Sequence, residues 1–239
     1  ELFTEVIMIQ KIDAQKRYNR NFEWLEVRWL FSFADYYDPD NVNLGALRVF
    51  NDDLIQPGTG FGKHPHKEME IVSIILDGEL THEDNMGNKS VIKKGEVQRM
   101  SAGTGVIHSE HNDGDSVTNI YQIWINPDEP GQEPSYEQKD FSSAPRTNTL
   151  LPVVSGKNID GALTIHSDST IYVSELEEGN TIDYAIEAER HGILYVNEGK
   201  LDINGETYAA KDQSRIDGEE KLVISAPENS SFILLDLPG

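Results

Sequence analysis

Two short clusters carry side chains that could hold a metal ion: His64-Pro65-His66, and further along His108-Ser109-Glu110. In a strand successive side chains alternate faces, so His64 and His66 project together, as do His108 and Glu110. Two such pairs on facing strands converge four ligands on one point. Imidazole suits iron, copper, nickel and zinc, and a carboxylate adds an anionic oxygen. Four protein ligands fill a tetrahedral zinc site, whereas on an octahedral ion they leave two positions for a substrate and dioxygen. The set therefore leans toward Fe(II), with Mn, Ni, Cu or Zn as the alternatives. Glu68 and Glu70 share the strand parity of His64 and His66, so spacing leaves the carboxylate ligand open between Glu110 and Glu70. A lone His-x-His pair is more often ordinary surface or core histidine. The second pair, preceded by the glycine-rich run Ser101-Ala102-Gly103-Thr104-Gly105, tips the reading toward a metal.

Such a site needs strands to carry it. Pro65 lacks a donor N–H, which requires its strand to be an edge or irregular there. Gly58, Gly60 and Gly62 let the chain before it turn tightly. Short apolar or alternating segments recur at Leu44–Phe50, Glu70–Leu76, Ile120–Ile125, Ile171–Val173, Ile193–Val196, Lys221–Ser225 and Phe232–Leu235. Turn residues separate them: Asn51-Asp52-Asp53, Asp77-Gly78, Met86-Gly87-Asn88, Gly114-Asp115, Glu198-Gly199 and Asn204-Gly205. No long stretch keeps a helical period, so the chain is all-β with few, short helices. Pro127, Pro130, Pro134, Pro145 and Pro152 mark a linker, which places one barrel at 1–135, a proline-rich connection at 136–152 and a second barrel at 153–239. A faint repeat supports two similar halves: Ile75-Leu76-Asp77-Gly78-Glu79-Leu80 echoes Val196-Asn197-Glu198-Gly199-Lys200-Leu201.

Composition narrows the chemistry further. The chain of 239 residues has no cysteine, which removes disulfides, thiolate metal sites, Fe–S clusters and cysteine nucleophiles. Its 20 Lys and Arg against 42 Asp and Glu give a net charge of −22, which argues against direct nucleic-acid binding. No apolar run approaches a membrane span, and Glu1-Leu2-Phe3-Thr4-Glu5 lacks the features of a secretory signal, so a cytoplasmic protein is expected. Residues 151–239 hold 6 basic and 17 acidic side chains, against 14 and 25 in residues 1–150. The second part is the more acidic per residue and offers a surface for a basic protein partner.

The motifs also resemble a known family. His64-Pro65-His66 with Glu70 and Gly78, then Gly95 with Gly103, His108 and Asn112, resemble the two motifs of a cupin barrel. Phe31-Ser32-Phe33-Ala34-Asp35-Tyr36-Tyr37, Leu47-Arg48-Val49, Asn51-Asp52-Asp53, Pro57-Gly58-Thr59-Gly60-Phe61, Met69-Glu70, Gln98-Arg99-Met100-Ser101-Ala102-Gly103-Thr104-Gly105 and His108-Ser109-Glu110 are similar to pirins, over residues 30–126. The resemblance implies a bicupin, two jelly-roll-like barrels with one mononuclear metal, usually iron, in the first. It implies His64, His66, His108 and Glu110 as ligands, with Glu70 beside them as a supporting partner. Matching Gly199 to Gly78 puts Ala185 and Glu187 where His64 and His66 stand, so the second barrel is expected to be metal-free.

Several bacterial pirin-like proteins act as quercetin 2,3-dioxygenases. The resemblance therefore implies that a flavonol and O2 are the substrates, that Glu110 is the catalytic base, and that ring opening releases CO. The alternative it implies is a metal-binding regulatory protein that acts through protein contacts. A monomer is expected in either case. Of the remaining residues, His82 is expected in a polar turn, His111 toward solvent, and His166 and His191 in packing or on the surface. Trp24 and Trp29 should pack on the first barrel, and Arg28 and Arg48 should pair with carboxylates. Met100, Val106, Phe50 and Phe61 should either line an aromatic pocket or pack in the core.

Overall fold

The computed structural model describes residues 9–218 and 220–239; the opening residues Glu1 to Glu5, on which the targeting expectation rested, lie outside the described residues. The short apolar segments and turn residues produce strands nearly throughout. In chain order these are β1 (Ile9–Ile12), β2 (Tyr18–Asn21), β3 (Leu25–Trp29), β4 (Leu47–Ile55), β5 (Thr59–His66), β6 (Glu70–Asp77), β7 (Glu79–Asp84), β8 (Lys89–Lys93), β9 (Glu96–Ser101), β10 (Val106–Asn112) and β11 (Thr118–Ile125). They continue as β12 (Ser135–Asp140), β13 (Leu151–Ser155), β14 (Leu163–Thr164), β15 (Thr170–Leu176), β16 (Thr181–Ile186), β17 (Arg190–Glu198), β18 (Lys200–Ile203), β19 (Glu206–Ala209), β20 (Gln213–Asp217), β21 (Glu220–Ser225) and β22 (Ser230–Pro238). A single 3-10 turn, Ala14–Lys16, is the helical element among the described residues. None of those residues forms a helix long and apolar enough to cross a membrane.

The chain divides into two compact units. One comprises Arg17–Ala144 with Val153–Asp168; the other comprises Pro145–Pro152 and Ser169–Gly239 together with the described residues 9–16. The expected boundaries at 135 and 153 differ from this division. Within the expected linker 136–152, β12 pairs antiparallel with β9 from Ser135↔Ser101 to Asp140↔Glu96. The stretch between Pro134 and Pro145 contains no proline, so each of its N–H groups is free to join the ladder.

In the first unit a sheet in the order β12-β9-β6-β11-β4-β3-β2 accompanies a second in the order β5-β10-β7-β8. Both supply the core: Leu25, Val27, Trp29, Ile55, Ile75 and Ile120 from the larger, Leu80 and Ile92 from the smaller. Trp29 stacks on Tyr18 at 5.1 Å, and Trp24 meets Phe61 edge-on at 5.4 Å, so both tryptophans pack in this unit.

Asn51-Asp52-Asp53 does not form the expected turn. All three residues are buried in the middle of β4. The Arg28 guanidinium lies 3.4 Å from Asp52 Oδ2, and Asn119 Nδ2 donates to Asp52 Oδ1 at 2.9 Å, so a residue type common in turns is accommodated in a ladder. Asp53 faces the other side of the strand. Burial, and then the charge of Asp52, pushes its carboxyl well above the usual carboxylate range. Arg48 departs from expectation too: its Nη1 donates to the carbonyls of Ser32 at 2.7 Å and Val42 at 3.1 Å.

In the other unit the strands run β1-β20-β17-β22-β15 and β16-β21-β18-β19. The order mirrors that of the first unit, with β1 flanking β20 as β12 flanks β9. Gly78 and Gly199 hold corresponding turns with φ of 75° and 77°, a region where a side chain would be strained. Its core is apolar, with Ile182, Ile186, Leu222 and Ile224 from the smaller sheet and Leu194, Ile216 and Leu234 from the larger. Ala185 and Glu187, expected at the places of His64 and His66, are both exposed; the buried positions of β16 are Ile182 and Ile186. The sequence match between the halves is therefore off by one residue in this strand, which exchanges its faces.

The state of Asp53 has a measurable consequence. Its raised value means that the folded protein holds a proton that the unfolded chain releases above about pH 3.9, so the wild type loses stability as pH rises from there toward the folded value. Asp53→Asn carries no such dependence. It is expected to be more stable than wild type at pH 7, with the gap narrowing toward pH 4; urea unfolding at the two pH values measures this, and equal stability at pH 7 contradicts it.

Candidate metal centre

β5 lies at the edge of its sheet, paired with β10, which explains how Pro65 is tolerated. The register sets His108 opposite His64 and Val106 opposite His66. It then shifts, so that Glu110 stands opposite Phe61: three residues of β5 span what two of β10 span, which is a β-bulge. At this bulge Gly60 lies against the backbone of Glu110 and His111, where a Cβ would collide. Any larger residue there would force the two strands apart.

This pairing gathers His64, His66 and His108, whose ring centroids are 4.5 to 5.0 Å apart. One ring nitrogen from each lies within 4.8 Å of the others. Nε2 of His64 and Nε2 of His108 are 3.1 Å apart. Two nitrogens each about 2.0–2.1 Å from one ion stand about 3 Å apart as neighbours in its coordination sphere, so the geometry fits. His64 Nδ1 lies 2.7 Å from the Gly62 carbonyl, which assigns the hydrogen to Nδ1 and the lone pair to Nε2. Burial, then His64 and His82, takes the His108 imidazole down to about 3; burial, then His108 and His64, takes His66 down to about 4. Both rings are thus neutral at neutral pH, the form that binds a metal.

Glu110, 1% exposed, sits deeper. Its Oε1 accepts from Gln98 Nε2 and, at 3.3 Å, from Ser73 Oγ; its Oε2 accepts from Gln122 Nε2 at 2.6 Å. Those donors come from three neighbouring strands in one register row, Gln122↔Ser73 and Ser73↔Gln98. A carboxylate oxygen of Glu110 groups within 4.8 Å of ring nitrogens of His108 and His82, and not with the three-histidine set. The structure therefore brings three of the four expected ligands into one tight group, with the fourth beside His108 and drawn toward the larger sheet.

Other expected residues fall elsewhere. Glu70 is buried and accepts from Ser101 Oγ at 2.7 Å, with its carboxyl raised by burial. His82 is not in a turn: it lies in β7, 0% exposed, opposite Glu110. The parity of Leu80, His82 and Asp84 carries that signal, since an apolar Leu80 facing inward takes His82 with it. His111 is partly exposed beside Asp113, His166 is exposed, and His191 lies beside Asp217. Met100 and Val106 pack with Ile71 and Ala102, while Phe50 meets Tyr121 and Phe61 meets Trp24. Trp124, which motif reading passed over, meets His66 edge-on at 4.7 Å and donates its indole N–H to Gln122 Oε1.

The chain matches the family described as Pirin over residues 12–125, and a family described as quercetinase C-terminal cupin domain over residues 152–237. A pirin-like protein of Caulobacter vibrioides is 41% identical over 96% of this chain and 99% of its own. The chain belongs to the pirin family. A protein of Escherichia coli K12 named quercetin 2,3-dioxygenase is 41% identical over 97% of this chain and 99% of that one. The crystal structure of the bacterial pirin YhhW from Escherichia coli in complex with nickel(II) superposes with a TM-score of 0.91 at 41% identity, covering 97% of this chain and 99% of that one. The fold of this pirin is thus two cupin-type units, and its His/Glu group is one able to hold a divalent metal.

The clamp on Glu110 gives a direct test. Gln122→Leu removes the donor to Oε2 of a buried carboxylate and is expected to cost about 1.5–3 kcal/mol of stability in the metal-free pirin, read by urea unfolding. A loss below about 0.5 kcal/mol, typical of a surface substitution, would show that this hydrogen bond does not hold the carboxylate.

Proposed function

We propose that this chain is a metal-dependent dioxygenase that opens flavonols such as quercetin at the 2,3 position with O2. The observation that carries the reading is the convergence of three imidazoles, with two Nε2 atoms 3.1 Å apart, beside a buried, clamped carboxylate. The family resemblance and the names of its relatives support the same activity. In this reading His64, His66, His108 and Glu110 hold one divalent ion, iron(II) first, with Mn, Ni, Cu or Zn as alternatives. When bound, the ion supplies a Lewis acid that lowers the pKa of a coordinated hydroxyl and keeps two reactants in register.

The residues divide the remaining work. His64 and His66 are half-buried while His108 and Glu110 are buried, so substrate approaches from the β5 side. Trp124 beside His66, with Phe33 edge-on to Trp124 at 5.3 Å, offers aromatic surface for planar rings. Glu110 accepts the proton of the flavonol 3-hydroxyl, and Gln98, Gln122 and Ser73 hold that carboxylate in place. Flavonol and O2 balance against one depside and one CO, so no external reductant is needed.

Protein loaded with Fe(II) under nitrogen and then exposed to air is expected to bleach the visible absorbance of quercetin, with no loss under nitrogen. Chelation of the metal should abolish the reaction. Glu110→Gln should retain the far-UV spectrum and lower turnover by about 100-fold or more; unchanged turnover removes the base role. His64→Ala and His108→Ala should each lose bound metal, and full occupancy in both sinks the site. One bound metal per chain with no flavonol consumed defeats the dioxygenase reading and favours a metal-dependent binding protein.

A further inference from the structure

A metal-bound imidazole needs an acceptor for the N–H on its other nitrogen, which fixes the ring and raises its basicity as a ligand. His64 has one in the Gly62 carbonyl. His108 has none: its Nε2 faces His64, and its buried Nδ1 meets no hydrogen-bond partner. His82 is the ring next to it, with centroids 5.4 Å apart, and a ring nitrogen of each groups within 4.8 Å of the Glu110 carboxylate. His82 Nε2 lies 2.9 Å from Asp84 Oδ2. Asp84 is itself committed as an acceptor, taking the backbone N–H groups of Met86 and Asn88 on Oδ1 and the Asn88 side-chain amide on Oδ2. The hydrogen of His82 is therefore on Nε2, which leaves a lone pair on its buried and unpartnered Nδ1. Tyr136 stacks on His82 at 4.5 Å, with its hydroxyl tied to Ser90 and Gln138, and holds the ring in place.

We propose that His82 is a positioning residue for His108. In the metal-bound protein His108 Nδ1–H donates to His82 Nδ1, and His82 Nε2–H donates to Asp84, so the chain from metal ligand to carboxylate is closed. Two otherwise orphaned buried nitrogens then satisfy each other, and the charge of Asp84 reaches the metal through two rings. This rests on the reading of His108 as a ligand.

Co(II) serves as the probe, because its visible bands report the ligand field independently of activity. Asp84→Asn turns an amide N–H toward His82 Nε2, reverses the His82 tautomer and sets two donors against each other at His108. It is expected to weaken Co(II) binding about 10- to 100-fold and to shift the visible bands, in addition to the stability lost with the charged acceptor of the Met86 and Asn88 N–H groups. His82→Gln, which keeps an acceptor oxygen, should bind Co(II) more tightly than His82→Leu, which has none. Wild-type affinity and spectrum in Asp84→Asn overturn the proposal, as does weakened binding that leaves the visible bands of bound Co(II) where they stand in the wild type. Should His82→Leu fail to fold, Asp84→Asn and His82→Gln decide the matter alone. His64→Ala, measured alongside, separates the two levels: if it keeps its Co(II), the ligand reading fails; if it loses Co(II) while Asp84→Asn behaves as wild type, only the relay fails.

Discussion

Everything at this centre depends on how β5 is laid against β10. Antiparallel pairing alone would place two His-x-acceptor pairs face to face and stop there. The bulge between the His108 and Glu110 levels changes the outcome, because it keeps the three imidazoles together while the carboxylate continues inward. Gly60 makes that possible by letting the two backbones approach where a side chain would hold them apart. A strand edge, a proline that needs no partner and a glycine that needs no room act together in eight residues of sequence.

A carboxylate placed inside a barrel must be compensated, and the larger sheet does so with a row of polar side chains. Asn51, Gln122, Ser73 and Gln98 lie side by side on four adjacent strands, and three of them donate to Glu110. Each is neutral, so the row orients the carboxylate without cancelling its charge, which stays available to a cation. The other unit has the same strand order with Leu194, Ile216 and Leu234 on its larger sheet. Among its described buried charges, Asp236 is paired with Arg190 and Tyr184, and Asp212 lies 3.7 Å from the Lys11 ammonium. One topology thus serves two ends: an apolar cluster between the sheets of one unit, and in the other an apolar cluster beside a polar row that holds a carboxylate.

Much of this was legible in the sequence where a residue's type and its strand parity point the same way. His64, His66 and His108 followed from alternation, the edge position of β5 followed from Pro65, and the turns at Gly78 and Gly199 from their glycines. The differences have two physical causes: local composition does not report neighbours distant in sequence, and a polar side chain does not announce which face of its strand it shares. Asn51-Asp52-Asp53 looks like a turn until Arg28 and Asn119 are known to stand beside it. His82 looks like part of a polar turn until its parity with Leu80 is counted. Gln122 and Ser73 carry no sequence signal, and Gln98 only its place in a family motif, since an amide or hydroxyl in a strand is unremarkable until the sheet aligns them beneath one carboxylate.

The placement of β1 bears on how this chain can be made and taken apart. Ile9–Ile12 pairs with Ile216–Gln213, so the outermost strand of the later unit comes from the first part of the chain. On a ribosome that segment emerges about 200 residues before its partner exists, a pairing of long loop closure and slow formation. A fragment cut at the proline-rich stretch would carry β20 with an open ladder of N–H and C=O groups, an edge inviting intermolecular association. The two halves resemble a duplicated module in sequence, yet neither the order of synthesis nor a pair of scissors would find the seam between them.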